Sequence, residues 1–259
     1  MKDFTLDIYG KYIEALQASG AEFLTFSDFI LSDQDAKPER LVMLRHDVDR
    51  KPMNSLKMAK LEHQLGVKAT YYFRDRSNIA KPSIMQEIES MGHEVGYHYE
   101  CLSDSNGDEQ LAYSKFDKAL SKMREIVTIL TISMHGSPLK PYDNRDMWRS
   151  EFGKQKLREL SLLGEIYLCI DYSDIAYVND TGRNWFSGKS NRRDKVDSNI
   201  EAEFESPYEL LEYFQKPHRN LIFQVHPERW TDNNLEWLVQ LAKDGLINLA
   251  KIIIQILRR

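Results

Sequence analysis

Short apolar runs alternate with longer stretches whose apolar positions recur at helical spacing along most of the chain. Leu6 to Ser19 reads as an amphipathic helix closed by Gly20. Ala21 to Ile30 reads as a short strand and a turn of helix, and the polar stretch Ser32 to Arg40 as a loop. Leu41 to Leu44 is apolar throughout and predicts a buried strand. Pro52 then opens a helix over Met53 to Gln64, ended by Gly66. Val67 to Phe73 is β-branched and aromatic, which predicts a strand. A helix from Pro82 to Ser90 ends at Gly92, and His93 to His98 follows as a short strand. Asp108 to Leu130 predicts a helix, Leu130 to Met134 a strand, and Pro138 to Arg149 an irregular loop. Lys154 to Leu163 predicts a helix and Glu165 to Asp171 a strand. Thr181 to Asp197 is polar and reads as a long loop. Pro207 opens a helix to Gln215, Leu221 to His226 is a strand, and Asn233 to Gly245 a helix. The tail Ile252 to Leu257 is read as a helix covering the core rather than a membrane anchor, because its isoleucines need burial.

Alternation of this kind predicts an α/β fold, a parallel sheet with helical crossovers closed as a barrel or doubly wound. No G-x-G-x-x-G or G-x-x-x-x-G-K-[ST] follows any strand, so a nucleotide-binding doubly wound sheet loses its usual support. The 259 residues suit one large domain, taken as 1–259.

Composition changes the picture little. A net charge of -5 argues against a nucleic-acid partner. Cys101 and Cys169 are too few for a disulfide framework. The opening Met1 to Asp7 lacks the apolar run of a signal peptide, and no stretch is long and apolar enough to span a bilayer. A cytoplasmic location is the resulting expectation.

The candidate chemistry sits where strands end. In Arg45-His46-Asp47-Val48-Asp49 the i, i+2 spacing puts Arg45, Asp47 and Asp49 on one face and His46 on the other. That spacing alone also suits a strand running out into a solvated turn. Three other strands, however, run to His98, His135 and His226. In a parallel barrel all C-terminal strand ends share one face, so the topology would gather two acids and three histidines at one mouth. A divalent metal with mixed carboxylate and imidazole ligands accounts for that set economically.

These residues carry a family resemblance. The chain resembles the polysaccharide deacetylases, the NodB-homology group or carbohydrate esterase family 4 (CE4), as a divergent member. Arg45 to Asp49 is similar to the family's first motif, and Ala69 to Phe73 to its next strand. Gly92-His93-Glu94-Val95-Gly96-Tyr97-His98 reproduces its G-H-E-[IV]-G-x-H motif, His135 to Pro138 resembles its third, and Leu221 to His226 its last. The motifs run in the family's order from about Leu41 to Trp230. The resemblance implies a distorted (β/α) barrel of about seven parallel strands and metal-dependent removal of an N- or O-acetyl group from a sugar. It implies that Asp49 and His98 bind the metal, zinc foremost, that Asp47 is the general base and that His226 is the general acid.

One position departs from the family. Leu102 stands where a second ligand histidine is usual, and leucine cannot bind metal. Glu100, Cys101 and His135 are the conceivable substitutes, with His135 favoured. Arg45 would brace the acid pair or meet substrate. In the loop from Asp180, Arg183 with Arg192 and Arg193 would suit a phosphate, and Trp185 would stack on a sugar ring. Tyr142 to Arg145 has the same standing, whereas His46 and His93 read as structural and His63 and His218 as surface residues.

The expected function is deacetylation of a sugar, a surface-polysaccharide precursor linked to a nucleotide or lipid. Two rivals are a deformylase or other C–N hydrolase acting on a non-sugar amide, and a catalytically silent carbohydrate-binding protein.

Overall fold

The computed structural model describes residues 2–33, 38–137, 140–185, 195–217 and 220–257, with side chains to residue 248. His218, Arg192, Arg193, Pro138 and the side chains of the C-terminal isoleucines lie outside the described residues.

Strands β1 (Glu22–Phe23), β2 (Leu41–Val48), β3 (Thr70–Phe73), β4 (Glu94–Tyr99), β5 (Thr131–Met134), β6 (Gly164–Glu165), β7 (Ile175–Asn179) and β8 (Asn220–Val225) form one sheet. Its order is β6-β5-β4-β3-β2-β8-β7, every ladder is parallel, and β1 pairs with the start of β2. This is the distorted (β/α) barrel of seven strands that the resemblance implies, with β6 and β7 at the open ends of the path.

Two core layers follow from the alternation of side chains along each strand. Inside the barrel Leu41, Met43, Tyr72, Tyr177 and Ile222 pack with Ile166, Ile170 and Tyr172. Outside it Val42, Leu44, Val48, Tyr71 and Phe223 pack against helices α1 (Leu6–Ala18) and α3 (Pro52–Gln64). Helices α2 (Phe26–Leu31), α4 (Pro82–Ser90), α5 (Cys101–Asp104) and α6 (Glu109–Arg124) follow their strands, as do α7 (Asp146–Arg149), α8 (Glu151–Glu159) and α9 (Ile166–Cys169). Helices α10 (Pro207–Gln215) and α11 (Asn234–Leu257) close the chain, with a 3-10 turn at Pro227–Arg229 between β8 and α11.

Sequence and structure differ at several elements, among them short helices at Cys101–Asp104 and Asp146–Arg149 that pattern did not show. β2 runs four residues past Leu44, because Arg45 and Asp47 satisfy each other inside the barrel and the ladder need not stop. Glu165 to Asp171 is mostly helical: the Glu165 carboxylate accepts the Tyr167 N–H and caps α9. Ile175–Asn179, left unassigned by pattern, is the strand instead. α11 passes through Gly245 and ends at Leu257.

The glycines of the Gly92–His98 segment have physical reasons. Gly92 has φ +87°, which ends α4 in a left-handed turn. A Cβ at Gly96 would collide with the Tyr72 ring inside the barrel.

Candidate active site

Register places the site. Arg45 of β2 pairs with Gln224 of β8, and His98 of β4 pairs with Ser133 of β5. Four interior positions thus meet under the C-terminal mouth. Arg45 donates from Nε to Asp47 Oδ1 (2.9 Å) and from Nη2 to Asp47 Oδ2 (2.8 Å), and Nη2 also reaches Ser133 Oγ (2.7 Å). Its guanidinium lies 4.6 Å from the Tyr167 ring. Gln224 Nε2 donates to Asp47 Oδ2 (2.6 Å) and takes the Tyr177 hydroxyl at its own Oε1. Burial alone would raise the Asp47 pKa, but Arg45 and the nearby imidazoles hold it below the usual carboxylate range. Asp47 is therefore a fixed, buried anion.

Asp49 leaves the strand just above it, its N–H bonded to the Asp47 carbonyl. His98 Nε2 lies 3.6 Å from Asp47 Oδ2 and 3.6 Å from Asp49 Oδ1. His135 Nε2 lies 3.6 Å from Asp49 Oδ2. The two rings stand edge to face with centroids 5.3 Å apart. Each ring's other nitrogen is committed: His98 Nδ1 to the Ser133 carbonyl (3.0 Å), His135 Nδ1 to Glu100 Oε2 (2.8 Å). Those partners put hydrogen on Nδ1 and turn both Nε2 atoms toward Asp49. Glu100 is itself held by Arg74, Arg76 and Ser137. Burial opposes it, yet His135 and Arg74 keep Glu100 far below its ordinary pKa.

The charges divide unequally. Burial lowers the His98 pKa despite Asp47 and Asp49. His135 is also buried, but Asp49 and Glu100 outweigh that and lift it to about 10. Asp49 is driven well below the carboxylate range against its burial by His135 and His98.

His226 reaches the same mouth from β8. Its backbone N–H donates to Asp180 Oδ2 (3.0 Å) and its Nδ1 to Asp180 Oδ1 (2.6 Å). Arg229 Nη1 (2.6 Å) and Trp230 Nε1 (2.9 Å) complete the Asp180 carboxylate, which sits at the end of β7. Burial and Arg229 lower the His226 pKa, Asp180 raises it, and the net shift is upward.

Whether this set suits a divalent cation can be tested on its unpaired atoms. Asp49 Oδ1 is buried and has no hydrogen-bond partner, which is costly unless something positive faces it. Two ligands on one tetrahedral zinc lie about 3.4 Å apart, close to the His98–Asp49 and His135–Asp49 spacings. Among the described residues, no group of three His, Cys, Asp or Glu side chains is arranged to hold a metal as it stands. The imidazoles face different oxygens of Asp49, so the spacing is right pairwise while the triad is not closed. The donor set fits in kind: two imidazole Nε2 atoms, one carboxylate, and Nδ1 atoms already tied down, with His135 having to release its Nε2 proton to bind a cation.

Of the three substitutes for the missing histidine, His135 is the one that stands beside Asp49. Glu100 is occupied in holding His135. Cys101 is buried with its thiol on Tyr97 and its pKa pushed up to about 11. Leu102 packs in the outer core.

The three residues expected at the substrate are packed against protein. Arg45 is wholly buried beneath Asp47 and braces the acid, one of the two roles expected of it. Trp185 is buried, stacked on Phe4 at 5.3 Å, with Nε1 on Asp3 Oδ2. Arg183 lies over the Phe4 and Trp237 rings and donates to the Arg229 carbonyl. Both fill the seam between α1, α11 and the barrel, where aromatic bulk was needed for packing. His46 and His93 are buried and hydrogen-bonded, as expected, and His63 is exposed. Arg145 pairs with Asp143 at 2.7 Å and lies near the Tyr167 ring.

Pattern reading missed Gln224, Asp180 and Glu228. Gln224 is two residues before His226 on the same strand face, a spacing that could have marked it. Asp180 follows the apolar run Ile175 to Val178, the same strand-end signal that marked the histidines. Glu228 is fully buried; Arg50 reaches its Oε1 (3.1 Å), and its Oε2 has no partner. Burial and the charge on Asp49 raise its pKa.

No family model and no curated protein matches the chain. Solved structures similar to it include a CE4 esterase from Streptococcus mutans, 15% identical with a TM-score of 0.47, covering 91% of this chain and 90% of that one. The catalytic domain of a peptidoglycan N-acetylglucosamine deacetylase from Eubacterium rectale is 16% identical with a TM-score of 0.45, covering 83% and 91%. A CE4 family pseudoenzyme from Bacillus anthracis is 14% identical with a TM-score of 0.40, covering 79% and 60%. Identity this low transfers no residue's role.

Proposed function

We propose that the chain is a metal-dependent deacetylase acting on an acetylated sugar, of the polysaccharide-deacetylase type. The observation that supports it is the meeting of Asp47, Asp49, His98, His135 and His226 at one barrel mouth, with Asp49 Oδ1 buried and unpaired. Asp49, His98 and His135 would hold the cation. A divalent cation so held would polarise the acyl carbonyl and acidify a bound water.

The chain's own residues supply the proton traffic. Asp47 is ionised and oriented by Arg45 and Gln224, so it can receive the proton of the attacking water. Asp180 fixes the His226 tautomer with Nδ1–H toward the carboxylate. The mobile proton then sits on Nε2, where it can be given to the departing amine. The upward shift of the His226 pKa, to which Asp180 contributes, favours keeping that proton. The proposed substrate is a sugar precursor carried on a nucleotide or lipid.

Asp47→Asn is the test. Turnover, followed as acetate release from N-acetylated sugars, is expected to fall roughly 10²–10⁴-fold while bound zinc stays at the wild-type level. Full activity in that variant would remove Asp47 from the base role, and a purified protein unable to take up any divalent metal would end the hydrolase reading. A parallel screen with formylated and non-sugar amides separates this activity from a deformylase.

The free Oε2 of Glu228 favours a second assignment within the same reaction. Unlike Asp47, it is not held by three donors, and its raised pKa makes it the stronger base. Glu228→Gln alongside Asp47→Asn shows which carboxylate takes the proton: the larger loss, with metal retained, marks the base.

A further inference from the structure

α11 is amphipathic in the reverse of the usual sense. A surface helix normally buries its apolar stripe and shows its polar face to water. In α11 the positions turned toward the barrel are Glu236, Gln240, Asp244 and Asn248, spaced i, i+4, i+8 and i+12, with Trp237 beside them. Gln240 and Asp244 are buried and bonded to each other at 3.1 Å. Glu236 accepts from Thr231 Oγ1 at 3.0 Å, and Asn248 Nδ2 donates to the Gly182 carbonyl at 2.7 Å. The outward face carries Leu235 (72% exposed), Leu246 (69%), Leu238 (57%), Val239, Leu241 and Ile247. A contiguous apolar face of this kind marks a contact surface rather than ordinary scatter.

The charges on the helix choose the contact. Both acids, Glu236 and Asp244, are turned inward, and Lys243 is the exposed charge among the apolar positions. At the N-terminal end Lys2 reaches Asn234 Oδ1 at 2.7 Å and lies 4.5 Å over the Trp237 ring. An apolar face whose outward charges are cationic complements a surface that is itself apolar and anionic. A second copy of the same face would bring like charges together and bury Lys243. No helix among the described residues is long and apolar enough to cross a membrane, so the helix would lie along it.

We infer that α11 docks the protein on an anionic lipid surface through Leu235, Leu238, Val239 and Leu246, with Lys243 at the headgroups and Lys2 at the flank of the helix. The helix is not remote from the site. Asp244 Oδ1 is 3.9 Å from Arg229 Nε, and Arg229 shares Asp180 with His226.

The test uses the full chain and vesicles of phosphatidylcholine with about one-third phosphatidylglycerol. Co-sedimentation is expected with these and is expected to be weak with pure phosphatidylcholine. The double variant Leu238→Glu, Leu246→Glu, altered only at exposed positions, should weaken binding roughly tenfold or more. Lys243→Glu should weaken it roughly fivefold, as should added salt. Unchanged circular dichroism and thermal unfolding would show that the variants are folded. No binding to anionic vesicles, or binding that the leucine variant leaves intact, overturns the inference. So does a stable dimer by light scattering that the leucine variant splits, which would give the face to a second copy. Bound mass, not turnover, is read, so failure here is distinct from failure of the deacetylase assay.

Discussion

The two faces of β2 carry the same kinds of side chain and treat them differently. On the outer face His46 Nε2 lies 2.6 Å from Glu62 Oε1, and Glu62 also accepts the Tyr9 and Tyr71 hydroxyls at 2.5 and 2.6 Å. The Tyr71 ring stacks on His46 at 4.3 Å. Every Glu62 oxygen is used, and the one unpartnered atom of that pair, His46 Nδ1, is a neutral acceptor when Nε2–H donates. On the inner face His98 and His135 stand 3.6 Å from Asp49, too far for a hydrogen bond, and Asp49 Oδ1 is left bare. The outer cluster holds the helix layer to the strand. The inner one leaves an Asp49 oxygen without a hydrogen bond at an opening, which suits a ligand. Residue type does not separate structure from chemistry here; satisfaction does.

The comparison breaks or sharpens on substitutions at three positions. The largest expected effect is on the inner face. Asp49→Ala should abolish zinc uptake and lower turnover roughly 10³-fold or more, while costing less in denaturant stability than the outer-face change below, because Asp49 makes no side-chain hydrogen bond within 3.5 Å to lose. Titration with zinc, turnover and urea unfolding of one preparation would read all three. A loss of stability as large as any on the outer face would collapse the distinction.

Next is Glu62→Ala. It leaves two buried hydroxyls and an imidazole without their shared acceptor and should cost about 3–5 kcal/mol in urea unfolding, while turnover of the folded fraction holds. The pH dependence carries a sign. Burial opposes it, but His46, His93 and Tyr71 depress the Glu62 pKa in the folded state. Its contribution is thus present above the ordinary glutamate value and lost as pH falls through the depressed one. Wild-type stability should decline in acid, and Glu62→Gln should flatten that decline.

The smallest effect is on His226. As a proton donor it works only while protonated, so kcat/KM should fall as pH rises through its pKa, which lies above the ordinary histidine value. Asp180→Asn removes the interaction that raises it and should move the falling limb down by about one pH unit. An unmoved limb would mean that another group sets it.

Much of this was legible in the chain. The run Leu41 to Asp49 showed a strand with its acids on one side, and the order of strand-end histidines showed where they would meet if the sheet were parallel. Gly92 to His98 was readable because a left-handed turn and a close ring contact each demand glycine at a fixed place. Arg183 and Trp185 misled, since a loop's aromatic and basic groups look alike whether they face a ligand or a neighbouring helix.

By itself the sequence determined the alternation of strand and helix and the acids and imidazoles at strand ends. Those are local properties, set by side-chain periodicity and by where apolar runs stop. Tertiary structure alone decided that His135 and not Glu100 stands beside Asp49, that Asp180 holds His226, and that α11 turns its leucines outward. Each of those depends on the register between strands far apart in the chain and on which polar atom finds a partner once water is gone.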